Sequence, residues 1–151
     1  MFQVRDMAPG EEAAVLALVM AGFDEFVRPD FTDEGVAEFE RSARSFVLDR
    51  PDDHFLAVAE EGDRLLGMLD LRDGSHIALF FVDAGRQGRG IGRSLLAHAI
   101  ERCRVADPDV GTMSVNSSPW AVPAYERLGF VAVDVESELK GIRFVPMIKQ
   151  L

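Results

Sequence analysis

The segment Val82-Asp83-Ala84-Gly85-Arg86-Gln87-Gly88-Arg89-Gly90-Ile91-Gly92-Arg93-Ser94 joins an apolar, strand-like run to an amphipathic, helix-like one. Its alternating glycines at 88, 90 and 92 lack Cβ atoms, which permits positive φ and close approach of the backbone to a ligand. The start of a helix adds unpaired N–H groups and the positive end of the helix dipole, so an anion is the natural guest. Arg86, Arg89 and Arg93 add positive charge in a chain where 26 Asp and Glu outnumber 16 Lys and Arg. A phosphate site is expected here.

Rival phosphate loops fit less well. The P-loop pattern fails because no Gly-Lys-Ser/Thr follows. The dinucleotide fingerprint G-x-G-x-x-G matches Gly88 and Gly90, but Arg93 stands where the third glycine belongs. That fingerprint also opens a βαβ unit with an acid at the end of the next strand, whereas the next strand here ends in Asn116.

Working outward, the upstream stretch reads as a meander. Phe55–Ala59 and Leu65–Leu71 flank the turn Glu61-Gly62-Asp63, and Asp73-Gly74 is a hairpin signal leading into Ser75–Val82,. Before it, a short strand (Phe2–Arg5) precedes a helix opened by Pro9, with Ala13, Ala14, Leu16, Ala17 and Met20 at helical spacing. Phe26–Phe31, with Pro29, reads as a loop. Thr32 then caps a second helix carrying Val36, Phe39, Ala43, Phe46 and Val47, with Asp33 and Glu34 in its first turn and Pro51 after its end.

Downstream of the loop, a long helix runs from Gly92 to about Arg104 with Leu95, Leu96, Ala99, Ile100 and Cys103 on one face. Gly111–Asn116 follows as a strand. Pro119–Leu128 reads as a helix with Ser118 as N-cap and Gly129 as its left-handed stop. Phe130–Val135 and Arg143–Ile148 close the chain as strands. The order β-α-α-β-β-β-α-β-α-β-β, with no repeat or linker, predicts one domain over residues 1–151 with helices packed on a mixed sheet.

Gln87-x-x-Gly90-x-Gly92 resembles the Q/R-x-x-G-x-G/A signature of the GNAT superfamily of N-acyltransferases. The stretch Ser118 to Phe130, ending in Tyr125-x-x-x-Gly129-Phe130, resembles that family's second block, one helix and one strand later. The resemblance implies an α/β GNAT fold with a mixed, mostly antiparallel sheet, and acetyl-CoA as co-substrate. It implies that the amides of Gly88, Arg89, Gly90, Ile91, Gly92 and Arg93 hold the CoA diphosphate, that Gln87 belongs to the same cofactor-binding set, and that Phe80, Phe81 and Val82 pair with the pantetheine arm. The amide aligned with Val82 would then stabilise an oxyanion. Seven positions before Tyr125 the family often has Asn for CoA contact. This chain has Ser118, which keeps the capping role with shorter reach, while Asn116 lies two residues earlier.

The resemblance further implies that Tyr125, the single tyrosine, protonates the departing thiolate. The base is open: His76 aligns with a Glu or His that serves in some relatives and titrates near neutral pH, with Asp70 and Glu25 in reserve. A satisfied histidine at a strand start is the plainer reading of His76, and a core aromatic that of Tyr125. Cys103 reads as a core thiol. The histidines at 54, 76 and 98 lack ligand spacing, so no metal is expected.

A formal net charge of −10 disfavours nucleic acid and suits a small cationic amine or peptide amine, though solubility alone also accounts for it. No apolar run approaches the roughly 20 residues of a membrane span. One cysteine and no signal-like start predict a cytoplasmic protein. A homodimer is the family habit. The expected activity is N-acetyl transfer to a primary amine, with a catalytically silent CoA-binding module and an NAD-binding protein as the alternatives.

Overall fold

The computed structural model describes residues 1–151. The strands are β1 (Gln3–Asp6), β2 (His54–Glu61), β3 (Arg64–Arg72), β4 (His76–Val82), β5 (Thr112–Ser117), β6 (Val131–Ala132), β7 (Ser137–Leu139) and β8 (Ile142–Gln150). The helices are α1 (Glu12–Gly22), α2 (Asp33–Arg44), α3 (Ile91–Ala106) and α4 (Val122–Arg127). Strand order across the sheet is β1-β2-β3-β4-β5-β8-β6, with β7 paired to β8. All pairings are antiparallel except β4–β5. This is the mixed, mostly antiparallel sheet that the sequence predicts.

Both faces of the sheet are covered, which is why β2, β3 and β4 read as nearly unbroken apolar runs. Successive side chains point to opposite faces. Ala57 and Ala59 join Leu69, Leu71 and the α3 residues Leu95, Leu96 and Ala99 in one core. Leu56, Val58 and Met68 join Val15, Val19 and Ala43 from α1 and α2 in the other. Cys103 lies on the buried face of α3 with its Sγ donating to Gly74 O. Asp73 and Gly74 both adopt positive φ, 52° and 87°, as a two-residue hairpin turn requires.

Several boundaries differ from the sequence reading. The first helix starts at Glu12, after Gly10. Phe23–Val27 continues it as a π turn, and Arg28–Asp30 is a 3-10 turn around Pro29, so most of the expected Phe26–Phe31 loop is helically coiled, and Phe31 is extended. A second π turn, Ser45–Asp49, extends α2. Ser118 Oγ accepts from Ala121 N, capping a turn, and α4 itself begins at Val122. Within Phe130–Val135 just Val131–Ala132 pairs as a strand. The hairpin partner of β8, Ser137–Leu139, carries too short and polar a run to show periodicity.

One irregularity shapes the site. Asp70 faces Leu79 and Leu71 faces Ile77 in the β3–β4 ladder, which leaves Ala78 as an extra residue on β4. A bulge of this kind bends its strand and increases the local twist. The parallel pairing of β4 to β5 stops at the same level, after His76↔Ser114 and Ile77↔Val115. Beyond it the two strands diverge, and the β4 edge from Ala78 to Val82 has no neighbour on the β5 side.

Candidate active site

Two cavities occupy this opening. The first, about 460 Å³, lies between the α1–α2 region and strands β4, β5 and β8. Its wall is rich in aromatic rings, including Phe26, Phe39, Phe46 and Phe144. The second, about 680 Å³, lies between the end of β4, the glycine loop, the start of α3 and α4. They share Phe80, Val82, Gln87, Trp120, Ala121 and Tyr125.

The glycine loop has the geometry that its residues predict. Asp83 Oδ1 accepts from Gly85 N, fixing a 3-10 turn over Ala84–Arg86. Gly88 and Gly90 adopt φ of +84° and +80° with open space around them, so the glycines are required by conformation and not by crowding. Gly90 caps α3, whose backbone bonding begins with Ser94 N to Gly90 O at 3.0 Å. The N–H groups from Gln87 to Arg93 find no acceptor within the protein, so they can receive an anion. Arg86 and Arg93 line this cavity, as does Arg127 from α4, which sequence reading did not single out. Arg86 Nε is buried without a partner. Arg89 instead turns to Glu61, 3.1 Å away.

On β4, Asp83 N donates to Leu66 O. Backbone groups alternate in direction along a strand, so Phe80 and Val82 present their N–H and C=O to the open edge. Phe81 points its backbone at β3 and its ring at Phe39 on the α2 side.

Tyr125 is buried, and its ring meets Phe80 and Phe130 edge-on at 6.0 and 5.3 Å between centroids. Its hydroxyl bonds to no protein group, and burial raises its pKa above the ordinary tyrosine value. It is a phenol that stays protonated at the wall between two cavities. Trp120 stacks on Phe26 at 4.2 Å, which ties the turn before α4 to the π turn after α1.

His76 lines the first cavity. Its Nδ1 lies 2.8 Å from Ser114 Oγ. Burial lowers its pKa, as does Arg72 nearby, against an opposing effect of Asp73, so the ring is neutral at physiological pH. Ser118 and Asn116 also line this cavity and not the second.

The reserve bases fare differently. Asp70 is fully buried and takes His54 Nδ1 at 2.8 Å. Desolvation pushes its pKa up to about 7 against the pull of His54. It lines neither cavity, and neither does the exposed Glu25. The acid on the wall is Glu38 from α2, paired with Arg41 and held below the ordinary carboxylate range by it. Sequence reading missed Glu38 because it looked like one more solvated helix residue. No group of three or more His, Cys, Asp or Glu side chains is arranged to hold a metal ion.

The acetyltransferase (GNAT) domain family matches residues 27–151. The chain belongs to this family. Among curated proteins, peptidyl-lysine N-acetyltransferase YjaB of Escherichia coli is 30% identical over 93 residues, which are 62% of this chain and 58% of that protein. The aligned region therefore spans somewhat over half of that relative's length.

Solved GNAT structures extend the likeness to the whole fold. The apo-form YjaB solution structure has a TM-score of 0.72 at 27% identity, covering 98% of this chain and 97% of that one. The PaiA N-acetyltransferase of Thermoplasma acidophilum, solved with coenzyme A, has a TM-score of 0.78 at 12% identity and covers 100% and 99% of the two chains. A GCN5-related N-acetyltransferase of Rhodopseudomonas palustris reaches 0.77 at 20% identity, covering 99% and 95%.

Proposed function

We propose that this chain is an acetyl-CoA-dependent N-acetyltransferase that acts on a primary amine by direct attack in a ternary complex. The observation that carries the reading is the wall shared by the two cavities, where Phe80, Val82, Trp120 and Tyr125 touch both. A donor in one cavity and an acceptor in the other would meet there, with no covalent carrier on the protein needed. The second cavity fits CoA on three counts: unpaired amides over Gln87–Arg93, arginines 86, 93 and 127 around them, and an unpaired β4 edge beside them. Bound there, acetyl-CoA would supply an acetyl group activated as a thioester.

The residues would then divide the work. The loop amides, Arg86 and Arg93 hold phosphate charge. Phe80 and Val82 offer backbone groups to an extended, amide-bearing arm, and Val82 N–H faces the oxygen on which negative charge develops. The amine must be neutral to attack, so a proton leaves its nitrogen as the C–N bond forms. His76 Nε2 takes it if Nδ1–H donates to Ser114 Oγ. His76 lies four residues from Phe80, roughly 13 Å at 3.3 Å per residue, so the proton travels through water in the cavity. As the C–S bond breaks, Tyr125 Oη gives its proton to the departing sulfur. These steps call for no metal ion.

The acceptor is a small cationic amine or a peptide amine. The net charge of −10 favours such a partner,, and the peptidyl-lysine activity in the name of the Escherichia coli relative supports the peptide form. Thermal unfolding with acetyl-CoA, CoA, NAD and ATP added separately tests the reading. A ligand at a hundred times its Kd adds about 2.7 kcal/mol, or about 5–10 °C for a domain of this size. That rise is expected with acetyl-CoA and CoA, followed by thiol release when amines are added. A rise with NAD and none with CoA would overturn it.

A further inference from the structure

Arg72 ends β3, pairs with His76 across the β3–β4 ladder and lines the first cavity. It takes part in no salt bridge, and its Nε is closed off from solvent with no hydrogen-bond partner. The other charged groups on that wall are already matched. Glu38 pairs with Arg41, and Arg143 pairs with Glu136 and Asp30. A guanidinium does not lose its proton in a protein, and a desolvated donor on a charged group is unfavourable when unpaired. The remaining wall is mostly apolar, dominated by Phe26, Phe39, Phe46 and Phe144. One charge is left over in a cavity otherwise suited to a large apolar body.

We infer that the acceptor is an amine that also carries a carboxylate, an apolar amino acid or short apolar peptide, whose carboxylate pairs with Arg72. The planar fork of Arg72 matches a carboxylate in two-point fashion, and the aromatic wall takes the apolar body. In a short peptide the terminal amine extends from that carboxylate toward the wall shared with the second cavity, whereas in a free amino acid it stays beside the carboxylate. This rests on the N-acetyltransferase reading and narrows its acceptor. A plain polyamine would bring a second cation to an unpaired arginine and is disfavoured by the same charge.

Two matched pairs test it: phenylalanine against phenethylamine, and phenylalanyl-leucine against its C-terminal amide, each assayed for thiol release from acetyl-CoA. The carboxylated member of at least one pair is expected to show about ten- to a hundredfold higher kcat/KM, and which pair does so separates amino acid from peptide. In Arg72→Gln that ratio should fall toward one. Arg72→Lys, which keeps the charge and loses the fork, should fall between and serves if Arg72→Gln folds poorly. A ratio near one in the unmodified protein for both pairs, or a ratio that survives in both variants, overturns the inference.

Calorimetry with 3-phenylpropionate and 3-phenylpropan-1-ol gives a readout independent of turnover. Tighter binding of the acid, lost in Arg72→Gln, supports the Arg72 site, and equal or absent binding of the two counts against it. If acetyl-CoA neither stabilises the protein nor releases thiol, the acetyltransferase reading falls, while this calorimetry still reads Arg72.

Discussion

Tyr125 and Asp70 are both buried polar residues, and their surroundings give them opposite uses. The Tyr125 hydroxyl sits at the shared wall with no protein partner, and its elevated pKa keeps it a proton donor. Tyr125→Phe preserves the ring contacts with Phe80 and Phe130, so the unfolding temperature and CoA affinity should hardly change. Turnover should fall by about a hundredfold or more, the usual worth of a positioned general acid; retained turnover would point to water as the acid. Asp70 is instead sealed against His54. Its folded-state pKa, raised to about 7, means the native protein keeps a proton that the unfolded chain has released above about pH 4. Stability therefore falls as pH rises from about 4 to 7, because the unfolded state binds fewer protons over that window. Asp70→Asn removes this cost, so its gain over the unmodified protein should grow by on the order of 1–3 kcal/mol between pH 5 and 8. Urea unfolding of both proteins at the two pH values measures it. Tyr125 was legible from its position in a motif. The fate of Asp70 was not, since a lone acid in an apolar run says nothing about which face or partner it will find.

Elements were easiest to read where one residue type is forced by backbone geometry. Thr32 Oγ1 accepts from Gly35 N at 3.1 Å, as a cap should, and the Asp73-Gly74 turn adopts the φ values that its sequence calls for. The π turns after α1 and α2 were not legible. They continue a helix with one wider turn, and Pro29 sits inside the 3-10 turn that follows the first of them, before the backbone becomes extended at Phe31. The contact between α2 and the β7–β8 hairpin was equally hidden, since it joins residues over a hundred positions apart. A Cβ on Gly35 would lie 2.0 Å from Gly141 O, and Thr32 N donates to that same oxygen. Gly35→Ala should therefore force α2 off the hairpin and lower stability by about 3 kcal/mol. Because Phe39 and Ser42 on α2 and Phe144 on β8 line the first cavity, KM for the amine should rise while CoA binding is kept. Denaturation midpoints together with steady-state assays on both substrates would show this split; a parallel loss of CoA binding would mean that the two cavities are not independently supported.

Across the whole molecule, the two cavities and their common wall predict sequential kinetics. Double-reciprocal plots against acetyl-CoA at several amine concentrations should intersect. Parallel lines would signal a covalent acetyl-enzyme and sink direct transfer. The available thiol is poorly suited to such a role: Cys103 is buried on α3, and desolvation raises its pKa. The sequence by itself determined the glycine loop, the meander and the two motif helices, because each rests on local rules: φ at a glycine, the period of a strand or helix, the chemistry of a cap. The GNAT fold followed from the resemblance of two of those stretches to the family's motifs. Tertiary structure alone decided where β4 parts from β5, which acid lines the first cavity and which is sealed with His54, and that Arg72 is left unpaired there. Those outcomes depend on which side chains from distant segments meet across a desolvated gap, and no local rule encodes a partner that lies on another strand.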